Sequence, residues 1–194
     1  MRWVPLAVAT VVGLLAGVLP IVRYRLRYGK SPVGSIGPMR WSARLVALTL
    51  FLQVALWTEK PSLEIARALV DPWPRTGLVV IAIGLLLVMR GQWEMGASWR
   101  IGVEAAARPG LITTGLFTVT RNPIYLGIFV ISLGYLLALP TIASITLIVI
   151  GCLEVREIVK HEERYLIATY GGEYRTYAAR VGRFLPGVGR LTSD

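Results

Sequence analysis

The chain has 194 residues, of which 55% are hydrophobic and only 16% charged, and its formal net charge is +10. So low a charged fraction excludes a disordered chain, and the single cysteine, Cys152, excludes a disulfide-stapled secreted domain. With one histidine and one cysteine, no metal site is predicted. The basic residues flank apolar segments and form no continuous stripe, so they predict contact with anionic membrane lipids and no nucleic acid partner.

Five apolar segments follow one another along the chain. The first, from about Trp3 to Val22, can span a bilayer unaided, because a spanning helix needs about 20 apolar residues. Arginines follow it at once and no small-x-small cleavage site is present, so it is predicted to be a membrane helix and not a signal peptide. The other four segments cover residues 42–57, 77–89, 124–139 and 141–153. They are shorter, so a spanning helix must include flanking residues or tilt.

Short sequence features predict how these segments pack. Gly13 and Gly17 form a GxxxG spacing in the first segment, which we interpret as intramolecular packing. Only the corner at residues 139–141 separates the last two segments, which predicts a tight helical hairpin. No connection is long enough for a separate soluble domain, so residues 1–194 are predicted to form a single membrane domain. Its parts are an N-terminal helical pair at 1–75 and a core at 76–194.

The positions of the basic residues predict the topology. Five helices place all but four of the 21 lysines and arginines on one side of the membrane. By the positive-inside rule that side is cytosolic, so the N-terminus is predicted outside and the C-terminus inside. The predicted fold is an all-α integral membrane protein with about five transmembrane helices and a cytosolic helical tail.

Polar residues cluster before the fourth segment, on the predicted cytosolic side. Asn122 precedes Pro123 and is expected to be extended, while Pro123 suits the first turn of a helix. Arg121 and Asn122 therefore lie at a helix N-terminus, where free N–H groups attract a carboxylate. The alternative is that Arg121 reaches toward the interface and Asn122 only caps the helix.

A second polar cluster follows the fifth segment. Glu162 and Glu163 point to different helix faces, so one is expected to turn inward and need a cationic partner, whereas Glu163 is expected to face water. The alternative is that both are solvated. Tyr174, Tyr177 and Phe184 are equally compatible with a pocket and with an aromatic belt at the membrane interface.

Four ordered motifs from residue 94 onward carry a family resemblance. They are Arg121-Asn122-Pro123-x-Tyr125-x-Gly127, Glu162-Glu163-x-x-Leu166, Tyr170-Gly171-x-x-Tyr174-x-x-Tyr177 and Val181-x-Arg183-Phe184-x-Pro186. In this order they resemble the isoprenylcysteine carboxyl methyltransferase family, which is related to the phospholipid methyltransferases.

The resemblance implies a methyltransferase-like core at 76–194 that binds S-adenosylmethionine and takes a lipophilic acceptor (an isoprenoid, a lipid, a thiol or a carboxylate) from the bilayer. The active site would face the cytosol, with catalytic roles for Arg121, Asn122 and Glu162. Glu162 would hold the cationic or hydroxyl-bearing part of the cofactor, and Arg121 with Asn122 its carboxylate. Carried over by motif, the cofactor contacts are Pro109, Gly110, Leu111, Ile112, Phe117, Asn122, Pro123, Ile124, Tyr125 and Glu162.

Two positions depart from the family pattern. Asn122 replaces the usual histidine, and an amide can donate a hydrogen bond but cannot act as an acid or base. Ile158 stands where eukaryotic members have a substrate-handling arginine, for which Arg156 or Lys160 are the predicted substitutes.

Two other functional classes are compatible with parts of the sequence. NADPH-dependent membrane reductases of the sterol reductase type share a similar Tyr-Gly-x-x-aromatic-x-x-Tyr tail. A non-catalytic membrane protein is the third class. Binding of S-adenosylhomocysteine, of NADPH or of neither discriminates among the three.

Overall fold

A computed structural model describes residues 4–32, 73–99, 110–138 and 142–191. These residues are mostly helical and include no strand, which confirms the all-α prediction for this part of the chain. The helices are α1 (Val4–Gly13), α2 (Leu19–Tyr28), α3 (Trp73–Met95), α4 (Pro123–Ala138), α5 (Ile142–Tyr170) and α6 (Gly172–Arg180). A π-helical segment, Leu14–Val18, joins α1 to α2, and short 3-10 turns lie at Gly96–Ser98 and Gly115–Thr118.

Four of the predicted apolar segments fall on these helices. The first spans α1 and α2, the third lies within α3, and the fourth and fifth coincide with α4 and the start of α5. The second segment, 42–57, and the corner at 139–141 lie outside the described residues. Ala7–Tyr28 and Arg75–Ser98 are long and apolar enough to cross a bilayer, while Pro123–Ala138 is apolar but shorter. Helix α5 continues well past its apolar stretch to Tyr170, so the predicted tail begins as part of the same helix.

A π-helical turn shapes the contact between the N-terminal helices and α3. Leu19 N–H bonds Leu14 O across the Leu14–Val18 segment, which is the wider spacing that defines a π-helix. The nearby carbonyl of Ala16 accepts a 2.9 Å hydrogen bond from Gln92 Nε2 on α3. Buried backbone carbonyls need such a partner, so this bond fixes where the N-terminal helix meets α3.

Helices α3 and α4 approach each other along a line of glycines, which we call the glycine seam. A Cβ added at Gly84 would lie 2.7 Å from Gly127 O and 2.7 Å from Ile131 N, so only glycine fits there. The seven-residue spacing brings a glycine back to the same helix face every two turns. The seam comprises Gly77, Gly84 and Gly91 on α3 with Gly127 and Gly134 on α4.

The GxxxG spacing of the first segment is not part of this seam. A Cβ added at Gly13 or Gly17 would meet no described residue within 4 Å. Within the described ranges, close helix packing therefore occurs at the α3–α4 glycines and not at the predicted pair.

The segment that follows α6 folds back beside the start of α4. After α6, residues 181–191, which we call the C-terminal loop, return along the helix, and Leu191 N–H bonds Ala178 O at 3.0 Å. A parallel bridge joins Gly182 in this loop to Thr120, with Arg121 N–H donating to Gly182 O at 2.9 Å. The loop thereby brings the two polar clusters of the sequence together.

Candidate active site

A cavity of about 350 Å³ lies among the end of α3, the segment before α4, the first turn of α4, α5 and α6. Pro109 lies outside the described residues. All the other predicted cofactor and catalytic residues line this cavity: Gly110, Leu111, Ile112, Phe117, Arg121, Asn122, Pro123, Ile124, Tyr125 and Glu162.

Further residues that were not among the predicted cofactor contacts also line the cavity. Leu166 and Tyr170 follow Glu162 at four-residue steps, so helical periodicity could have found them. Tyr174 and Tyr177 also line the cavity, which favours the pocket reading for those two tyrosines. Tertiary packing also brings to the cavity five residues that were not predicted as site residues: Gln92, Met95, Ser98, Trp99 and Ala16.

Phe184 has a different position from the two tyrosines. Its ring packs edge-on against Phe129 of α4, with ring centroids 5.8 Å apart. Phe184 is not among the cavity-lining residues. It therefore fastens the C-terminal loop to α4 and is no part of the pocket wall.

Glu162 lies beyond the apolar part of α5 and faces the cavity. Its Oε1 accepts a 2.9 Å hydrogen bond from Tyr125 Oη. Burial, the largest effect, raises the pKa of Glu162 to about 7; the Tyr125 bond lowers it, and the charge of Glu163 raises it further. No ion pair joins Glu162 to a cation among the described residues, so a cationic ligand group would find an available carboxylate there.

Glu163 is the carboxylate that has cationic partners, contrary to the expectation that it faces water. Only 8% of its side chain is exposed, and it pairs with Arg121 at 3.2 Å and with Arg183 at 2.6 Å. A second bond runs from Arg183 Nε to Glu163 Oε1 at 3.0 Å. The expectation was wrong because α6 and the C-terminal loop cover this face of α5, and a covered charge requires partners.

Arg121 is buried and held in place, so the reading that it reaches toward the interface is wrong. Its side chain is 2% exposed. Besides pairing with Glu163, Nη2 donates to Gly189 O at 2.6 Å. Its Nε and Nη1 atoms are buried and have no hydrogen-bond partner among the described residues. Since buried donors are costly when unsatisfied, this cavity-lining guanidinium suits an anionic ligand group.

Asn122 uses its amide to bind the chain itself. Its Nδ2 donates to Arg183 O at 2.9 Å, and Thr120 Oγ1 donates to the same carbonyl at 3.2 Å. One of the two N–H groups of the predicted amide donor is therefore engaged by the chain itself. Asn122 lines the cavity and fastens the C-terminal loop beside it, a role that neither sequence reading included.

A partly buried carboxylate, that of Glu94, shapes the wall before α4. Glu94 on α3 accepts the backbone N–H of Leu116 at 2.7 Å, and Gly115, at φ 62°, lies directly against this carboxylate. Any side chain at Gly115 would collide with Glu94. Tyr177 Oη donates to Phe117 O at 2.7 Å from the other side. These bonds hold the buried Phe117 ring in the cavity wall.

The two predicted substrate-binding residues lie away from this cavity. Arg156 is exposed, and Lys160 Nζ pairs with Glu157 at 2.7 Å on the helix surface. Neither is among the cavity-lining residues, so the structure does not bring them to the site.

Comparisons with known proteins show the family and a similar fold. The family model described as phospholipid methyltransferase matches residues 73–173, beginning upstream of the motifs. The fold is similar to that of the eukaryotic intramembrane Ras methyltransferase, isoprenylcysteine carboxyl methyltransferase, with a TM-score of 0.57 and 19% identity. That similarity covers 76% of this chain and 50% of the other, so this chain spans about half its length. A comparison with curated proteins gave no match.

Proposed function

This chain belongs to the phospholipid methyltransferase family, and from that membership we propose that it transfers a methyl group from S-adenosylmethionine to a lipophilic acceptor. The matched residues include α3, α4 and α5, and they contain most of the residues that line the cavity. The apolar helices and the similar fold of an intramembrane methyltransferase support a location in the bilayer.

The observation that carries the proposal is the pairing of charges in one cavity. Glu162 offers a carboxylate without an ion-pair partner among the described residues, and Arg121 offers two unpartnered donors. The amino acid end of S-adenosylmethionine carries an ammonium and a carboxylate, and its sulfonium is cationic. The cavity of about 350 Å³ also lies within the size range of small-molecule sites, about 300–1,000 Å³. The residues present therefore fit this cofactor.

The proposed roles of the chain are binding and alignment. When bound, the cofactor supplies an activated methyl group whose transfer leaves a neutral thioether. Glu162 and Arg121 would hold its charged groups, while the aromatic side chains of Phe117, Tyr125 and Tyr174 shield the site from water. In-line displacement gains most from such alignment, so neither a metal ion nor a covalent intermediate is required. The acceptor would enter from the bilayer between helices.

Ligand titration tests the proposal. We expect the purified protein to bind S-adenosylhomocysteine, measured by calorimetry in detergent, and not to bind NADPH. Binding of NADPH alone would instead support a reductase of the sterol reductase type, and binding of neither ligand a non-catalytic protein. Mass spectrometry of membrane lipids, with and without the protein, would then identify acceptors as species heavier by one methylene.

The proposed topology has five transmembrane helices, an outside N-terminus and a cytosolic C-terminus, with the cavity open to the cytosol. The distribution of lysine and arginine supports this orientation. A reporter fused after Asp194 should be cytosolic, and a tag before Met1 should be accessible from outside. A C-terminal reporter found on the outer face would contradict both the helix count and the cytosolic site.

A further inference from the structure

We infer that Glu163 and Arg183 are positioning residues, through which the C-terminal loop orients Arg121 for the carboxylate of the ligand. The inference rests on the proposed function, because it takes that carboxylate to belong to the cofactor. None of residues 181–191 lines the cavity. The loop therefore acts on the ligand through the cavity-lining residues that it contacts, among them Arg121, Asn122 and Glu163.

The three charged side chains form one connected cluster. Glu163 Oε1 is shared, 3.2 Å from Arg121 Nη2 and 3.0 Å from Arg183 Nε, and Oε2 lies 2.6 Å from Arg183 Nη2. One carboxylate thus holds two guanidinium groups. Bidentate pairing with Arg183 fixes the plane of the carboxylate, which in turn fixes where Arg121 Nη2 is held.

The cluster contains two guanidinium cations and one carboxylate, so one positive charge has no opposite charge within the cluster. Arg183 is 31% exposed and can share its charge with water, whereas Arg121, at 2% exposed, cannot. The uncompensated charge therefore falls on the guanidinium that lines the cavity. A buried charge of this kind calls for an opposite partner, which a ligand carboxylate supplies.

The C-terminal loop holds the segment that carries Arg121 at several points. Gly182 O accepts Arg121 N–H at 2.9 Å, and Gly189 O accepts Arg121 Nη2 at 2.6 Å. Arg183 O accepts the Asn122 amide at 2.9 Å. Backbone and guanidinium are thus both fixed from the loop, so only Nε and Nη1 remain for the ligand.

Two ligands that differ by one group test this role. Calorimetry should compare S-adenosylhomocysteine with its decarboxylated analogue, which keeps the amine and lacks the carboxylate. Glu163→Gln and Arg183→Gln should each weaken binding of S-adenosylhomocysteine about tenfold or more, because the carboxylate loses an oriented charged partner. Binding of the decarboxylated analogue should change less than about twofold, since it makes no such contact.

Matched controls separate positioning from general effects. Arg180→Gln removes the same charge from an exposed residue of α6 that donates to the carbonyl of Thr176 on the same helix, and it should leave both affinities unchanged. Arg183→Lys keeps the charge but not the bidentate geometry, so its affinity for S-adenosylhomocysteine should lie between those of the parent and Arg183→Gln. If Glu163→Gln does not fold, the Arg183 series decides.

Three results would overturn the inference. A folded Arg183→Gln variant with the same affinity for S-adenosylhomocysteine as the parent would show that the loop does not orient Arg121. Equal weakening of both ligands would assign the cluster to stability alone. A parent protein that binds neither ligand would refute the proposed function itself, which is a separate outcome from parent binding with unaffected variants.

Discussion

The glycine seam and the C-terminal loop hold the molecule together in opposite ways. Along the seam, α3 and α4 touch backbone to backbone, and an added Cβ at Gly84 would come within 2.7 Å of Gly127 O. Beside the loop, contact depends on charges and hydrogen bonds, with Glu163 between Arg121 and Arg183. The helix contact along the seam depends on the small volume of glycine, and the contact made by the loop depends on charged and hydrogen-bonding groups.

This difference separates scaffold from site. Between helices in lipid, association depends on close packing because the surrounding tails are as apolar as the side chains. A seam of this kind can be rigid without any polar group. The cavity, in contrast, has to bind a charged ligand, so its walls are positioned by groups that also set the local electrostatics. Substitutions at the seam should therefore mainly lower stability, whereas substitutions at the cavity should mainly lower ligand affinity.

The largest expected effect is at the seam. Gly84→Val should destabilise the protein by about 3 kcal/mol or more, because its methyl groups must displace the backbone of α4. Thermal unfolding in detergent, followed by circular dichroism, measures this. Gly151→Val, on α5 with no described atom near its added Cβ, should change stability by less than about 0.5 kcal/mol. Equal melting of the two variants would show that the seam tolerates volume.

Glu162→Gln should have the next largest effect, and the effect should be on ligand binding. Loss of a charge-assisted contact to a cationic ligand costs about 1–3 kcal/mol, or a fivefold to more than hundredfold loss of affinity. The same substitution at exposed Glu173 is the control and should leave affinity unchanged. If calorimetry gives equal affinities for Glu162→Gln and the parent, Glu162 does not contact the cofactor.

The raised pKa of Glu162 makes both the stability of the protein and its affinity for a cationic ligand depend on pH. It is raised from 4.5 to about 7, so the ligand-free folded protein binds more protons than the unfolded chain between those values. This residue therefore lowers stability as pH rises from 4.5 to about 7, by at most about 1.4 kcal/mol per pH unit. Affinity for a cationic ligand should instead strengthen over that range and level off above it. Both trends should be absent in Glu162→Gln, and a parent affinity independent of pH would contradict the assignment.

The smallest expected effect is at Asn122. Asn122→Ala removes the bond to Arg183 O and should cost about 0.5–1.5 kcal/mol of stability, with little change in ligand affinity. Thermal unfolding and calorimetry on the same preparation measure both quantities. Asn122→His, which restores the more common residue of the family, should regain some stability if its ring N–H reaches that carbonyl. A large loss of affinity without loss of stability would favour the direct cofactor contact predicted from the sequence.

Much of the fold and the cavity wall followed from local sequence. The apolar segments predicted α4, the first part of α5 and the N-terminal helices, because hydrophobic length reports directly on membrane helices. The family resemblance inferred from the motifs is confirmed by the family match. The cofactor positions that the resemblance implied, within the described residues, also line one cavity, since ordered motifs preserve residues that share a site.

The sequence by itself determined the helical class, the family and the identity of about half of the cavity residues. Only the tertiary structure decided what each polar side chain contacts. Glu162 and Glu163 are adjacent, chemically identical and both line the cavity, yet Glu162 accepts a hydrogen bond from Tyr125 and Glu163 lies between two arginines. The C-terminal loop, folding back from 20 residues further on, makes that distinction through Arg183. Helical periodicity gives the angle between neighbouring side chains, but which face becomes covered depends on contacts that are distant in sequence.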